Sequence, residues 1–334
     1  MDNNGYVMGG MTFLLIIPAL ILANIMVSAF IMDEVHVIPF NSDKLHQLTG
    51  DVESNIPLFT LQIMNETSDM VSKTGEPVPN SRIIIKSRIQ SKIDETYLEY
   101  QRETGINMTC KINSVDNSED PYKICVKSTL YASYHDSYIV KNISQDVQFV
   151  CSDFTDSSSE YCKIKDPLPF IKMKGYGSLK TDGNKIYYGF ALSNYLKSKG
   201  IENSSAYDNA SSPLYFKRCP YDPYPSHGHS NSYVVLKNCI DNGYYHLSGA
   251  GSCIFCRLEG KSVCNHTGLE TFVLPGMTNI SCEYAPCSID HVIFGTNPSE
   301  IYPGNLLEYN SNKTSSFGIF LDKGHKDKYG LIND

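Results

Sequence analysis

From Asn3 to Met32 the chain has no charged side chain, and no cysteine occurs before Cys110. Tryptophan is absent altogether, although tyrosine reaches 23 residues and phenylalanine 14. No block of Lys or Arg stands out, and the formal net charge of -8 argues against a protein that grips nucleic acid by neutralising phosphates. There is no internal repeat, no long low-complexity tract and no second apolar run of membrane length. The G-x-S-x-G elbow, H-E-x-x-H, a phosphate-binding Gly loop and the dinucleotide fingerprint are all missing, which removes the positive grounds for the enzymes that use them.

What is present begins with the uncharged segment. Phe13, Leu14, Leu15, Ile16, Ile17, Pro18, Leu20, Ile21 and Leu22 lie in a run that stays apolar to Met32. At a rise of about 1.5 Å per residue, some 20 such residues cross a hydrocarbon core of about 30 Å. The alternative is a cleaved secretory signal, with small residues at Val27-Ser28-Ala29. The run exceeds the usual apolar region of roughly 7–15 residues and has no basic segment before it, which favours a retained, single-pass anchor in the cell membrane. The first Lys or Arg after the span is Lys44, so flanking charge barely orients it. Cysteines confined to the C-terminal side place that side outside the cell, and eight Asn-x-Ser/Thr sequons, at Asn65, Asn107, Asn142, Asn203, Asn209, Asn265, Asn279 and Asn312, agree. Pro18 reads as a kink, which membrane helices tolerate.

Asp2-Asn3-Asn4-Gly5-Tyr6, followed at once by an apolar helix with an internal proline, resembles the N-terminus of type IV pilin-like and TadE-like proteins over about 30 residues. The layout as a whole resembles archaeal membrane-anchored surface proteins. The pilin resemblance implies leader cleavage after Gly5 and a helix that packs with sister subunits. Two departures bear on it: no basic residue precedes Gly5, and Gly10 stands where pilins generally carry the glutamate that sets filament register.

Eleven cysteines in an exported body imply disulfides, and the odd total leaves at least one outside any intramolecular pair. Cys110, Cys125, Cys151, Cys162, Cys219, Cys239, Cys282 and Cys287 are disulfide candidates whose connectivity spacing alone does not give. Cys253-Ile-Phe-Cys256 followed by Cys264-Asn-His266 has the composition of a Cys₃His zinc site. An oxidising exterior favours disulfides among these same residues. As a redox dithiol the C-x-x-C would open a helix after a strand in a βαβ unit, and no parallel-sheet pattern supports that. His227 and His229, in a Pro/Tyr/Gly loop, are a further source of imidazole, while His246, Glu270 and His291 stand where spacing assigns no partner.

Along the outer chain, Leu45, Leu48, Val52, Ile56, Phe59, Ile63 and Met70 form one helical stripe, with a bend expected at Gly50 and Pro57. A second helix opens at Asn80-Ser81, carries Ile85, Ile89, Ile93, Tyr97 and Tyr100 on one face and stops at Gly105. The two pair antiparallel; their stripe serves either as an oligomer or filament seam or as packing against the chain's own β body. Beyond Cys110 short strands and turns follow: Tyr122–Tyr134, Val147–Cys151, Phe170–Lys174 and Lys185–Tyr188, with one helix over Phe190–Lys199, a loop over 202–212 and a solvated tail after Gly318.

The sequence thus predicts an α+β protein: an N-terminal transmembrane anchor over 1–34, a helical stalk or hairpin over 35–105, and a Cys-rich, mainly-β extracytoplasmic domain over 106–334. The expected role is that of a membrane-anchored extracellular structural or adhesion protein, in the manner of a minor pilin-like subunit. Its partners would be the lipid bilayer, sister subunits or a cell-surface polymer, with no nucleic acid and no cofactor. The alternative is an exported zinc-dependent binding protein or enzyme using Cys253, Cys256 and Cys264 with His227, His229 or His266.

Overall fold

The computed structural model describes residues 45–150, 163–222, 232–276, 285–298, 302–311 and 315–331. The expected anchor, the loop holding His227 and His229, and Cys151, Cys162 and Cys282 lie outside them. Among the described residues no helix is long and apolar enough to cross a membrane.

Helix α1 (residues 45–74) and helix α2 (Ser81–Thr104) form the expected hairpin. Asn80 adopts the left-handed conformation before α2, and Gly105 closes it with φ 71° and an N–H donated to Gln101 O. Gly50 and Pro57 do not interrupt α1, which runs through both. A proline at 57 cannot donate to the carbonyl of residue 53. That carbonyl instead accepts the Gln145 side-chain amide at 2.9 Å, so a neighbouring strand supplies the missing bond. The stripe is also adjusted at one end, for Val71 is buried and Met70 exposed.

Three long strands follow, β1 (Asn107–Asn117), β2 (Lys123–Tyr134) and β3 (Ser137–Gln148), in an antiparallel meander. Residues alternate buried and exposed along β1 and β2, as a sheet with one covered face requires. Ile112, Ile124, Val126 and Leu130 join Leu48, Val52 and Ile56 of α1 and Ile85, Ile89 and Ile93 of α2 in one core. The helical stripe is therefore covered by the chain's own sheet.

After β3 the mainly-β expectation gives way to a mixed α+β arrangement of short pieces. Helices α3 (Leu168–Met173) and α4 (Ala191–Ser198) pack with a small sheet of β4 (Lys180–Asp182), β5 (Lys185–Tyr187) and β6 (Ser211–Pro213). Phe170–Lys174, expected as a strand, lies largely in α3, where Pro167 and Pro169 favour a first helical turn. The 202–212 loop contains a 3₁₀ turn at Ser204–Tyr207. Helix α5 (Ser232–Asn242), the two-strand pair β7 (His246–Ser248) and β8 (Gly268–Glu270), and the short helix α6 (Ile254–Leu258) come next. The chain ends on β9 (Ala285–Pro286), α7 (Asp290–Ile293), β10 (Pro303–Ser311), β11 (Ser315–Leu321) and α8 (Lys323–Lys328). The solvated tail is corrected as well. Ile319, Phe320, Leu321, His325 and Tyr329 are buried, because β11 pairs with β10 and α8 folds back over β8.

Candidate metal centre

The segment Gly251–Gly268 crosses itself closely. A Cβ on Gly251 would lie 2.2 Å from Leu269 O, and one on Gly268 would lie 2.6 Å from the Gly251 carbonyl carbon, so only glycine lets the two legs meet. Between those legs sit Cys253, Cys256, Cys264 and His266, whose ligand atoms all fall within 4.8 Å of one another. His266 turns Nδ1 toward the sulfurs, 3.7 Å from Cys253 Sγ and 3.6 Å from Cys256 Sγ. With Zn–S about 2.3 Å and Zn–N about 2.05 Å, the S···N edge of a tetrahedron is about 3.6 Å. The Cys253 backbone N–H donates to Cys264 Sγ at 3.3 Å, the kind of bond that steadies a thiolate. Cys253 and Cys256 are buried, Cys264 is half-buried and His266 is exposed, so one side of the group faces solvent. The Cys253 thiol is pushed well down by hydrogen bonds from Cys256 and Cys264, and Cys256 is pushed up as the partner that keeps the proton. The four donors predicted from spacing are thus brought together.

The tip of the helical hairpin docks on this loop. Val78 N–H donates to Leu258 O at 2.8 Å, and Glu259 accepts the Ser81 N–H at 3.1 Å, capping α2 from outside. The Ser81 hydroxyl reaches Phe255 O at 3.0 Å. Arg82 lies over the Phe255 ring, 4.7 Å from its centroid, and its Nη2 stands 3.7 Å from Cys253 Sγ and 3.5 Å from His266 Nε2. It also bonds Asn117 at the end of β1. A zinc ion with three thiolates and one neutral imidazole carries one net negative charge, and Arg82 is placed to offset it. Replacing Arg82 by Gln is expected to weaken zinc retention by roughly 10–100-fold, as outer-sphere changes do; competition with a chromophoric chelator measures it.

The residue after Cys256 is the largest fully buried side chain among the described residues. Arg257 donates from Nη1 to Asp166 Oδ2 at 2.6 Å, from Nη2 to Asp290 Oδ2 and to Leu269 O at 2.8 Å, and from Nε to Ser252 O at 3.2 Å. Tyr245 OH, 2.9 Å from Asp166 Oδ2, and the Leu168 N–H, 3.0 Å from Oδ1, complete one carboxylate. Thr271 N–H at 3.2 Å and His291 N–H at 2.7 Å complete the other. Burial lowers the affinity of the guanidinium for its proton, but the two carboxylates outweigh that and raise it. Burial pushes Asp166 up, with Arg257 acting against it. Arg257 therefore ties the cysteine loop to the start of α3, to β8 and to α7.

A second polar cluster went unrecognised in the sequence. Glu270 ends β8, His291 lies on α7 and His325 on α8, and their ligand atoms fall within 4.8 Å. Glu270 Oε2 is 3.2 Å from His291 Nε2 and 3.6 Å from His325 Nε2, while Oε1 takes Lys328 Nζ at 2.6 Å and Tyr329 OH at 2.8 Å. Asp322 holds His325 Nδ1 from the other side. Burial would raise Glu270, but hydrogen bonds with His291 and His325 and the charge of Lys328 hold it well below the usual carboxylate range. Cys287, His325 and Asp322 have the composition of a nucleophilic triad without its geometry. Cys287 and Asp322 approach the same ring nitrogen, and Cys287 is fully buried with its thiol pushed up by that burial.

The disulfide candidates separate. Cys110 pairs in register with Leu130 and Cys125 with Asp116, so these two lie five residues apart along the ladder, about 17 Å, and cannot join each other. Neither these nor Cys253, Cys256, Cys264 or Cys287 is in a disulfide. Cys219 and Cys239 face each other with sulfurs 3.6 Å apart. Oxidation is expected to join them, stabilising the fold by about 3 kcal/mol for a loop of this length; peptide mapping without reduction checks the pairing.

Comparison with known proteins gives no match, whether by family model, by similarity to curated proteins or by similarity to solved structures.

Proposed function

We propose that this chain is an extracytoplasmic surface protein, tethered by its apolar N-terminal segment, whose outer body is organised by a structural zinc ion on Cys253, Cys256, Cys264 and His266. The observation that carries the zinc reading is the convergence of three sulfurs and one imidazole nitrogen within 4.8 Å, with the two edges from His266 Nδ1 to Cys253 and Cys256 at tetrahedral length. A site with four protein ligands has no open position for substrate, so the ion holds structure and does not carry out chemistry. It sits where the hairpin tip, the end of β1 and a region of short elements meet. In that region few long elements oppose chain entropy, and a metal crosslink does the work of a disulfide.

The structural or adhesive role rests on the anchor and on the absence of recognised catalytic motifs in the sequence. Because the helical stripe packs on the chain's own sheet, the surfaces left for a cell-surface polymer or a sister subunit are the outer helix faces, where Leu58, Ile83 and Leu98 are exposed, and the strands and loops. Exposed Tyr138 and Val140 on β3 are such a surface.

The test is fractionation followed by metal analysis of the solubilised full chain. The expected result is a chain that stays in the membrane after alkaline carbonate extraction and carries zinc released by a thiol-specific mercurial. A Cys253–Cys256 disulfide without zinc would overturn the metal reading, and carbonate-soluble full-length chain would overturn the tether.

A further inference from the structure

We infer that Glu270, His291 and His325 form a second divalent-cation site of the zinc class, independent of the cysteine centre. Two imidazoles and one carboxylate are a donor set suited to zinc and its neighbours in the first transition row. For bonds of about 2.05 Å the edge of a tetrahedron is about 3.3 Å. Glu270 Oε2 lies 3.2 Å from His291 Nε2 and 3.6 Å from His325 Nε2, and all three atoms are mutually within 4.8 Å.

The surroundings orient each donor. Lys328 and Tyr329 occupy Oε1 of Glu270, leaving Oε2 as the ligating atom. Asp322 pairs with His325 Nδ1, the carboxylate–histidine pairing that supports metal-bound imidazole, and would leave Nε2 as the ligating nitrogen beside that oxygen. Tyr302 stands edge-on to both rings, with centroids 6.1 and 5.9 Å away. His291, alone of the three donors, also lines with Tyr302 a cavity of about 470 Å³, so the site borders open space on its His291 side. Lys172 and Lys261 line the same cavity. It supplies the fourth ligand, a water or a small anionic oxygen donor drawn by the two ammonium groups. The rival use of these atoms is a closed ion-pair cluster with His325 protonated between Asp322 and Glu270, and it binds no metal.

Cobalt(II) titration of the metal-stripped full chain in detergent separates the two. The expected result is two equivalents bound, one with an intense sulfur-to-cobalt band and one without. In the Cys253→Ser, Cys256→Ser double variant, one equivalent remains and the sulfur band is gone. In His291→Ala the sulfur band stays and the second equivalent is lost. If His291→Ala does not fold, Asp322→Asn serves instead, and it should weaken the second equivalent roughly 10–100-fold while leaving the first unchanged. Saturation at a single thiolate-bound equivalent, or a second equivalent indifferent to these variants, overturns the inference. Absence of the sulfur band with one nitrogen/oxygen-bound equivalent present would refute the structural zinc site and leave this one standing.

Discussion

Arg257→Leu is expected to lose most of the fold's stability, with a shift in the urea midpoint equivalent to at least about 3–5 kcal/mol. That cost is what removing one partner of a buried ion pair entails, and here one guanidinium serves two carboxylates. Domains are typically stable by only about 5–15 kcal/mol, so the variant would be recovered poorly or not at all. The loss comes from what stays behind. Leucine fills much of the volume, but the Asp166 and Asp290 carboxyl groups would lose their shared cation in a site closed to water, and Leu269 O and Ser252 O would lose a donor.

Acid separates this cause from simple mispacking. Burial already raises Asp166 with Arg257 beside it, and removing the cation raises it further. A carboxyl whose folded pKa lies above its unfolded value adds stability below the unfolded value, near 4, and loses it as pH rises through the folded one. The deficit of Arg257→Leu should therefore shrink between pH 7 and pH 4, whereas a packing defect would not change. Replacing all three residues by apolar ones of similar size should recover much of the loss, since the penalty belongs to the unpaired charge.

Legibility in the sequence followed the range of the interactions. The second helix was readable because Ile85, Ile89 and Ile93 repeat at helical spacing between Asn80 and Gly105, both of which take left-handed conformations. The cysteine centre was readable because its four donors lie within 14 residues and the loop returns on itself. Pro57 misled because the carbonyl it leaves unpaired, that of Glu53, is satisfied by a side chain 92 positions away from Glu53 in β3. The cluster of Glu270, His291 and His325 draws on three elements spread over 56 residues, so no local pattern announces it. The charged stretch Asp322–Lys328 reads as solvated because five of its seven residues are Asp or Lys, yet β11 is covered on both faces, with Phe320 in one core and Ile319 and Leu321 in another, and it carries His325 inward. One physical link between the two metal-type groups was visible only in three dimensions. Arg257 follows Cys256 and grips Asp290, and Asp290 precedes His291.

Cys256→Ser, or chelation of the wild-type chain, is expected to lower the thermal midpoint by about 6 °C without destroying the long sheet. With free zinc at roughly 1,000 times its dissociation constant, linkage gives about 4 kcal/mol, and each kcal/mol moves the midpoint of a chain this size by about 1.5 °C. The sheet survives because Ile112, Ile124 and Val126 are held by α1 and α2 and not by the metal. What loosens is the loop and whatever leans on it. Val78 N–H loses Leu258 O, Ser81 loses Glu259, and Arg82 is left facing the Cys253 sulfur and an imidazole no longer fixed in place. Amide exchange should therefore rise first at residues 251–267 and at the N-terminal turn of α2, while β1 and β2 stay protected. A variant that unfolded the sheet together with the loop would mean that the centre holds the whole body. One that left the 251–267 amides protected would mean that the glycine crossing and Arg257 suffice without metal.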